Sequence, residues 1–258
     1  MTLFLAIETA TDLGSVAVGD PAGAAAEIAV GGRRHAAALA PAVHEVLRLA
    51  GARYGDLEGI VVADGPGSFT GLRIGFATAL GILRSHDRLA LHTAPSMLAA
   101  AWHVAPFASG PIAVLYDALR GEVFGAVYGL ERSEQRAERT GEGEGGRGKG
   151  PVALDVIVEP CLTTVSDLVR RCPVTPLLGV GDGAAAYEDE VRAWTGRAPV
   201  GPPAGSPRSA ALLGLLGVPG ATRRVDDPTT FEPTYGRLAE AQVRWEREHG
   251  RPLPHPYG

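Results

Sequence analysis

The sequence predicts a mixed α/β fold built as two lobes, and three observations carry that expectation. Leu3-Phe4-Leu5-Ala6-Ile7 is an unbroken apolar run, the mark of a strand buried on both faces. Two more strand-like runs follow before any helical pattern. After them helix and strand alternate, which reads as an antiparallel meander feeding parallel crossovers. From Ile112 onward the chain repeats this plan loosely.

The elements follow in order. After the turn Glu8-Thr9-Ala10-Thr11-Asp12, Gly14 to Val18 reads as a returning strand and Ala24 to Val30 as a third. His35 to Ala50 is a helix, with Leu39, Val43, Val46, Leu47 and Ala50 on a 3.6-residue stripe, closed by Gly51. Gly59-Ile60-Val61-Val62-Ala63 is a short buried strand. A second helix runs from about Thr70 to Arg84, then a strand over Leu89 to His92 and a helix over Pro95 to Trp102. In the second half, Ile112 to Tyr116 and Glu122 to Gly129 form a hairpin, and Ala153 to Val158 a third strand. Val165 to Cys172, Ala184 to Trp194 and Ser206 to Leu216 are helices, the last with Pro207 in its first turn, and Pro176 to Val180 is a strand. The division is a first lobe over 1–104 with a helical return at about 206–217, a second lobe over 105–205, and an irregular tail over 218–258. Within the tail, Leu238, Ala241 and Trp245 share one helical face. The stretch 131–150 is dense in Glu, Arg and Gly, with Ala137 its single apolar residue, and reads as a flexible loop.

Composition narrows the function classes. The 258 residues carry a net charge of −5, so the chain as a whole is not drawn to nucleic acid or acidic lipid. No apolar run reaches the length of a membrane span and no basic leader precedes the first strand, which points to a cytoplasmic protein. Cys161 and Cys172 match no metal spacing and read as packed thiols. The histidines offer no pair four apart on a helix: His35 and His44 are nine apart, and His92 and His103 eleven. The residues therefore predict no metal site and no cofactor in this chain.

One stretch organises the rest: Asp64-Gly65-Pro66-Gly67-Ser68-Phe69-Thr70-Gly71-Leu72-Arg73-Ile74-Gly75. Gly65, Pro66 and Gly67 break the preceding strand, and Ser68 or Thr70 caps the helix that follows. That helix carries Gly71, Gly75 and Ala79 on one face, with Ala77 and Gly81 offset. Glycine inside a helix costs about 0.5–1 kcal/mol against alanine, so close backbone approach is the natural reason for it. A Gly-rich turn before a helix also suits an anion, but no Lys follows and no Walker spacing exists. A kinase reading needs carboxylates to hold Mg²⁺, and Glu8, Asp12, Asp64 and Asp117 are the candidates. A metal-independent peptidase reading finds no Ser/His/Asp or Cys/His arrangement to work with.

Several segments together resemble the bacterial TsaB (YeaZ) family. They are Leu5-Ala6-Ile7-Glu8-Thr9-Ala10-Thr11, His35 at the first helix, and Asp64 to Arg73. Asp117-Ala118-Leu119-Arg120-Gly121-Glu122-Val123-Phe124, Gly181-Asp182-Gly183-Ala184 and Pro233-Thr234-Tyr235-Gly236-Arg237 complete the likeness. Glu8 departs from the family's common Asp, Gly236 from a frequent Leu, and 131–150 looks like an insertion. The resemblance implies an actin/Hsp70/sugar-kinase-like (ASKHA) fold of two ribonuclease-H-like lobes. It implies a non-catalytic subunit in making N6-threonylcarbamoyladenosine at position 37 of tRNAs that read codons starting with A. The implied partners are a TsaD-like catalytic subunit and a TsaE-like ATPase, with tRNA met only within the complex, ATP and a metal held by those partners, and a homodimer when the chain is alone. The related catalytic subunit binds metal through two His at i and i+4 on a helix, where this chain has Ser96 and Ala100. On residues alone, the small face at Gly71, Gly75 and Ala79 serves a partner or the chain's own sheet equally. In the family these two helices form a four-helix contact, which implies an interface made by Leu39, Val43, Leu47, Gly71, Gly75 and Ala79, with Arg73 at its boundary.

Overall fold

In the computed structural model the described residues are 2–31, 35–132, 151–236 and 249–250. The first sheet has six strands: β1 (Leu3–Glu8), β2 (Leu13–Asp20), β3 (Gly23–Gly31), β4 (Leu57–Ala63), β5 (Ala90–Ala94) and β10 (Arg223–Val225). Their order is β10-β5-β4-β1-β2-β3. The β1–β2–β3 meander is antiparallel, and β4 and β5 add parallel to it, with Leu5 opposite Val18 on one side and Ile60 on the other. This is ribonuclease-H-like topology. The second sheet, in the order β8-β7-β6-β9, repeats it without the last strand: β6 (Ile112–Asp117), β7 (Val123–Arg132), β8 (Pro151–Thr163) and the parallel β9 (Leu178–Val180). Two such lobes make the ASKHA fold.

Strand alternation sorts the core into layers. Leu5, Ile7, Val16, Val18, Ile60 and Val62 face α1 (His35–Leu49) and α2 (Phe69–Ser85). The opposite face, with Ala6, Ala17, Val61 and Ala63, packs on α3 (Ser96–Val104) and α7 (Ser209–Leu215). The same apolar cluster continues into the second sheet through Ile112, Val114, Tyr116, Phe124 and Tyr128, so α3 lies between the two sheets. Beyond the second sheet lie α4 (Val165–Arg171), α5 (Asp182–Ala186) and α6 (Glu188–Thr195), packed on Leu115, Val123 and Val127.

The structure departs from the sequence reading in three places. Glu131 and Arg132 extend β7 and pair with Ala153 and Pro151, so the strands reach into the stretch read as a loop, whose remainder lies outside the described residues. The helix read over 184–194 is two helices broken at Tyr187, whose φ and ψ of −113° and 44° are not helical. The tail contributes β10, antiparallel to β5. The helix read over 238–249 lies outside the described residues apart from His249. No helix among the described residues is long and apolar enough to cross a membrane.

Candidate docking face and the loop beneath it

The Gly-Pro-Gly loop spends its backbone groups on the protein. Asp64 N–H donates to Ala94 O at 3.0 Å, and Ser68 N–H to Ala10 O at 2.7 Å. Gly65 O accepts from Ser96 N–H at 3.0 Å, and Pro66 O from the Ser96 hydroxyl at 2.6 Å. Tyr116, from the second lobe, donates its hydroxyl to Ser96 O at 2.9 Å. Gly65 needs to be glycine, because its φ is +107° and a Cβ would collide with Thr234 O. Ser68 caps α2 by accepting from Gly71 N–H at 3.2 Å. Thr70 is exposed and makes no cap. The loop is therefore the joint where both lobes and the tail meet.

The tail closes over this joint. Thr234 N–H donates to Asp64 O at 2.7 Å. Tyr235 lies against Phe69 with ring centroids 4.5 Å apart, and Phe231 stacks on Phe76 at 4.7 Å. The exposed Arg73 rests on the Phe69 ring, 4.0 Å from its centroid, and donates Nε–H to the Tyr235 hydroxyl at 3.1 Å.

Six of the residues read as an interface are not on the surface. Leu39, Val43 and Leu47 are 0%, 1% and 4% exposed, inside the core between α1 and the sheet. Gly71, Gly75 and Ala79 form the inner face of α2. A Cβ on Gly71 would strike Thr9 O, one on Gly75 would strike Thr9 Oγ1, and Ala79 is fully buried. The small stripe exists to bring α2 down onto β1, so Gly71, Gly75 and Ala79, like Leu39 and Leu47, are corrected from partner contacts to packing contacts, while Val43 packs in the core and also lines the hollow between α1 and α2.

The outer face, about half a turn round α2 from the small stripe, holds a different feature. Ala40 on α1 and Ala77 and Gly81 on α2 are exposed. With Val43, Tyr54, Thr78, Ile82, Ser85 and His86 they line a hollow of about 370 Å³ between the two helices. A Cβ on Gly81 would meet nothing within 4 Å, so its smallness serves no internal packing.

The candidate carboxylates do not converge. Glu8 is fully buried, with Oε1 accepting from Ala10 N–H at 2.6 Å and Oε2 without a partner among the described residues. Burial pushes its pKa up to about 8, with the Asp64 charge adding to the rise. Burial also raises Asp64, partly offset by Thr93 and Arg223. Asp12 and Asp182 instead line a separate hollow of about 230 Å³ between the lobes, with Thr11, Tyr116 and Ser206. The Asp117 N–H donates to Asp182 Oδ1 at 3.2 Å. No group of three or more His, Cys, Asp or Glu among the described residues is placed to hold a metal. Ser96 is buried with its hydroxyl spent on Pro66, and Ala100 is fully buried in the apolar cluster between the sheets.

The comparisons bear on this arrangement. Residues 25–140 match the family model described as "TsaD: tRNA N6-adenosine threonylcarbamoyltransferase". The chain is 34% identical over 128 residues to the tRNA threonylcarbamoyladenosine biosynthesis protein TsaB of Escherichia coli, a match covering 48% of this chain and 54% of that one. It thus spans about half the length of that relative. It is 27% identical over 217 residues to TsaB of Bacillus subtilis, covering 83% and 84% of the two chains. Among solved structures it superposes on YeaZ from Pseudomonas aeruginosa with a TM-score of 0.64 at 22% identity, covering 84% of this chain and 91% of that one, which shows the shared fold. The chain is thus similar to the TsaB proteins of these two bacteria and, over residues 25–140, to the TsaD family model, and it shares the fold of YeaZ.

Proposed function

We propose that the chain is the non-catalytic subunit of the complex that transfers a threonylcarbamoyl group to N6 of adenosine 37 in tRNAs reading codons starting with A. In this reading it binds and activates a TsaD-like catalytic subunit, and a TsaE-like ATPase joins the pair. The tRNA, ATP and metal belong to the assembled complex, and the chain pairs with itself when no partner is present. The observation that carries the reading is the apolar hollow between α1 and α2, floored by Ala40, Ala77 and Gly81. Small exposed residues on two adjacent helices let another helix pair come close. Ser96 and Ala100 are both buried, and by the resemblance they stand where the related catalytic subunit carries its metal-binding histidines, which supports the non-catalytic role.

The test is reconstitution. The chain, the TsaD-like and TsaE-like subunits of the same genome, ATP, Mg²⁺, a threonylcarbamoyl donor and unmodified tRNA are combined, with each protein omitted in turn. Modified nucleoside is measured by mass spectrometry. Product is expected only when this chain and the catalytic subunit are both present. Product from this chain alone overturns the non-catalytic role, and equal product without it overturns the activating role. The kinase alternative has less support: burial raises the pKa of Glu8 to about 8, which works against the charge a Mg²⁺ ligand needs, and among the described residues the hollow at Asp12 and Asp182 is lined by no basic side chain to face a triphosphate. Titration with Mg²⁺–ATP tests that alternative directly.

A further inference from the structure

Phe69, Arg73, Ala77, Gly81 and Ser85 recur every four residues on α2 and form one ridge along it. Ala77, Gly81 and Ser85 line the hollow, and Arg73 stands one turn before them on the same face. Its guanidinium carbon lies 4.0 Å from the Phe69 ring centroid and 5.5 Å from that of Tyr235. Nε–H is used by the Tyr235 hydroxyl at 3.1 Å. Among the described residues, the terminal N–H groups meet no acceptor.

An exposed arginine ordinarily samples many rotamers and loses that freedom when it grips a ligand. Here two aromatic rings hold the guanidinium in place, so its donors are already oriented. Holding the tail against α2 would need only an apolar side chain between the rings. The guanidinium adds a planar fork of donors, the geometry that matches a carboxylate with two parallel hydrogen bonds.

We propose that Arg73 is the charged anchor of the docking face, gripping an Asp or Glu side chain on a partner helix laid along the α1–α2 groove. The proposal rests on the docking reading above. Ala77 and Gly81 lie about 6 and 12 Å along the helix from Arg73, at 1.5 Å per residue. The partner helix therefore carries its acid one to two turns from the apolar side chain that fills the hollow. A protein carboxylate fits better than a phosphate backbone. Nucleic acid is held by rows of cations, and the next basic residue of α2, Arg84, is eleven residues away in a chain of net charge −5.

The experiment measures affinity for the purified TsaD-like subunit of the same genome by calorimetry at 50 and 500 mM NaCl. It compares the wild type with Arg73→Gln, Arg73→Lys, Tyr235→Leu and Gly81→Leu, and records a melting curve for each. Arg73→Gln is expected to weaken binding about tenfold or more at low salt and to flatten its salt dependence. Arg73→Lys should keep the salt dependence and recover part of the affinity. Tyr235→Leu frees the tail but keeps the cation, so it lowers the melting temperature and preserves the salt dependence. If Arg73→Gln retains both affinity and salt dependence while Gly81→Leu abolishes binding, docking stands and the anchor is wrong. If a folded Gly81→Leu binds as the wild type does, the docking reading fails and the anchor falls with it.

Discussion

The carbonyl oxygen of Thr9 occupies the space that a side chain on Gly71 would take. Thr9 follows the last residue of β1 and is itself fully buried, so it has no room to retreat. The small stripe of α2 is thus fitted to its own sheet, and the other small face of the same helix, with Ala77 and Gly81, is turned outward. This separates two glycines that look alike in sequence. Gly71→Ala should destabilise the chain by about 1–3 kcal/mol through overpacking. Gly81→Ala, in open space on the same helix, should stabilise it by about 0.5–1 kcal/mol through lost backbone entropy in the unfolded chain and better helix propensity. Urea denaturation of both variants checks the pair. Equal shifts of one sign would contradict the assignment of the two faces.

Glu8 gives a pH prediction. Its folded pKa of about 8 lies above its ordinary value of 4.5, so the folded state holds the proton more tightly than the unfolded one. The contribution is fully present below about pH 4.5 and is lost as pH rises through 8. Glu8→Gln keeps the shape and removes the titration. The variant should match the wild type near pH 5 and exceed it near pH 9 by a few kcal/mol. Chemical denaturation at several pH values reads this out, and a pH-independent difference between the two proteins would show that Glu8 ionises freely.

How much of this was legible in the sequence depends on how local each cause is. The β1–β5 order and the α1 and α2 positions follow from apolar runs and turn residues, and they appear in the structure within a few residues of their expected ends. The inward and outward faces of α2 were not separable, because Gly71, Gly75 and Ala79 form one small face and Ala77 and Gly81 another. Which one meets the sheet depends on how β1 lies beneath. Arg223-Arg224-Val225 has one apolar residue in three, and it is a strand because β5 offers it a free edge. The Pro-x-Tyr segment was visible, but its partner Arg73 is 162 residues away, a contact that periodicity does not encode.

Tyr116 supplies a hydrogen bond from the second lobe to the N-terminal turn of α3, which the Gly65-Pro66 loop also grips. Tyr116→Phe leaves the ring in the apolar cluster and removes only the donor. A loss of about 1 kcal/mol is expected, with faster amide exchange at Ser96, whose N–H bonds Gly65 O. Exchange unchanged at Ser96 would mean that the joint is held by packing alone.

Glu27 carries the last prediction, because it ties the returning helix to the first sheet. One carboxylate oxygen accepts from the Ser209 hydroxyl at 2.9 Å and Ala210 N–H at 3.0 Å, and the other from Arg208 at 2.6 Å. It therefore caps α7 from a different element, β3. Burial alone would raise its pKa, but the hydrogen bonds and charge of Arg208, with the groups of Ala210 and Ser209, outweigh it and the net shift is downward. A lowered carboxylate pKa contributes stability above its unfolded value, and that contribution is lost as pH falls through the folded one. Glu27→Gln keeps the shape but removes the charge that faces donors on three residues, Arg208, Ser209 and Ala210. It should cost about 1.5–3 kcal/mol at pH 7, as loss of charge-assisted hydrogen bonds does. The gap from the wild type should narrow in acid, as Glu27 itself becomes neutral. Denaturation curves at pH 7 and about pH 3 measure the two gaps, and gaps of equal size would show that the carboxylate charge plays no part in holding α7 to the sheet.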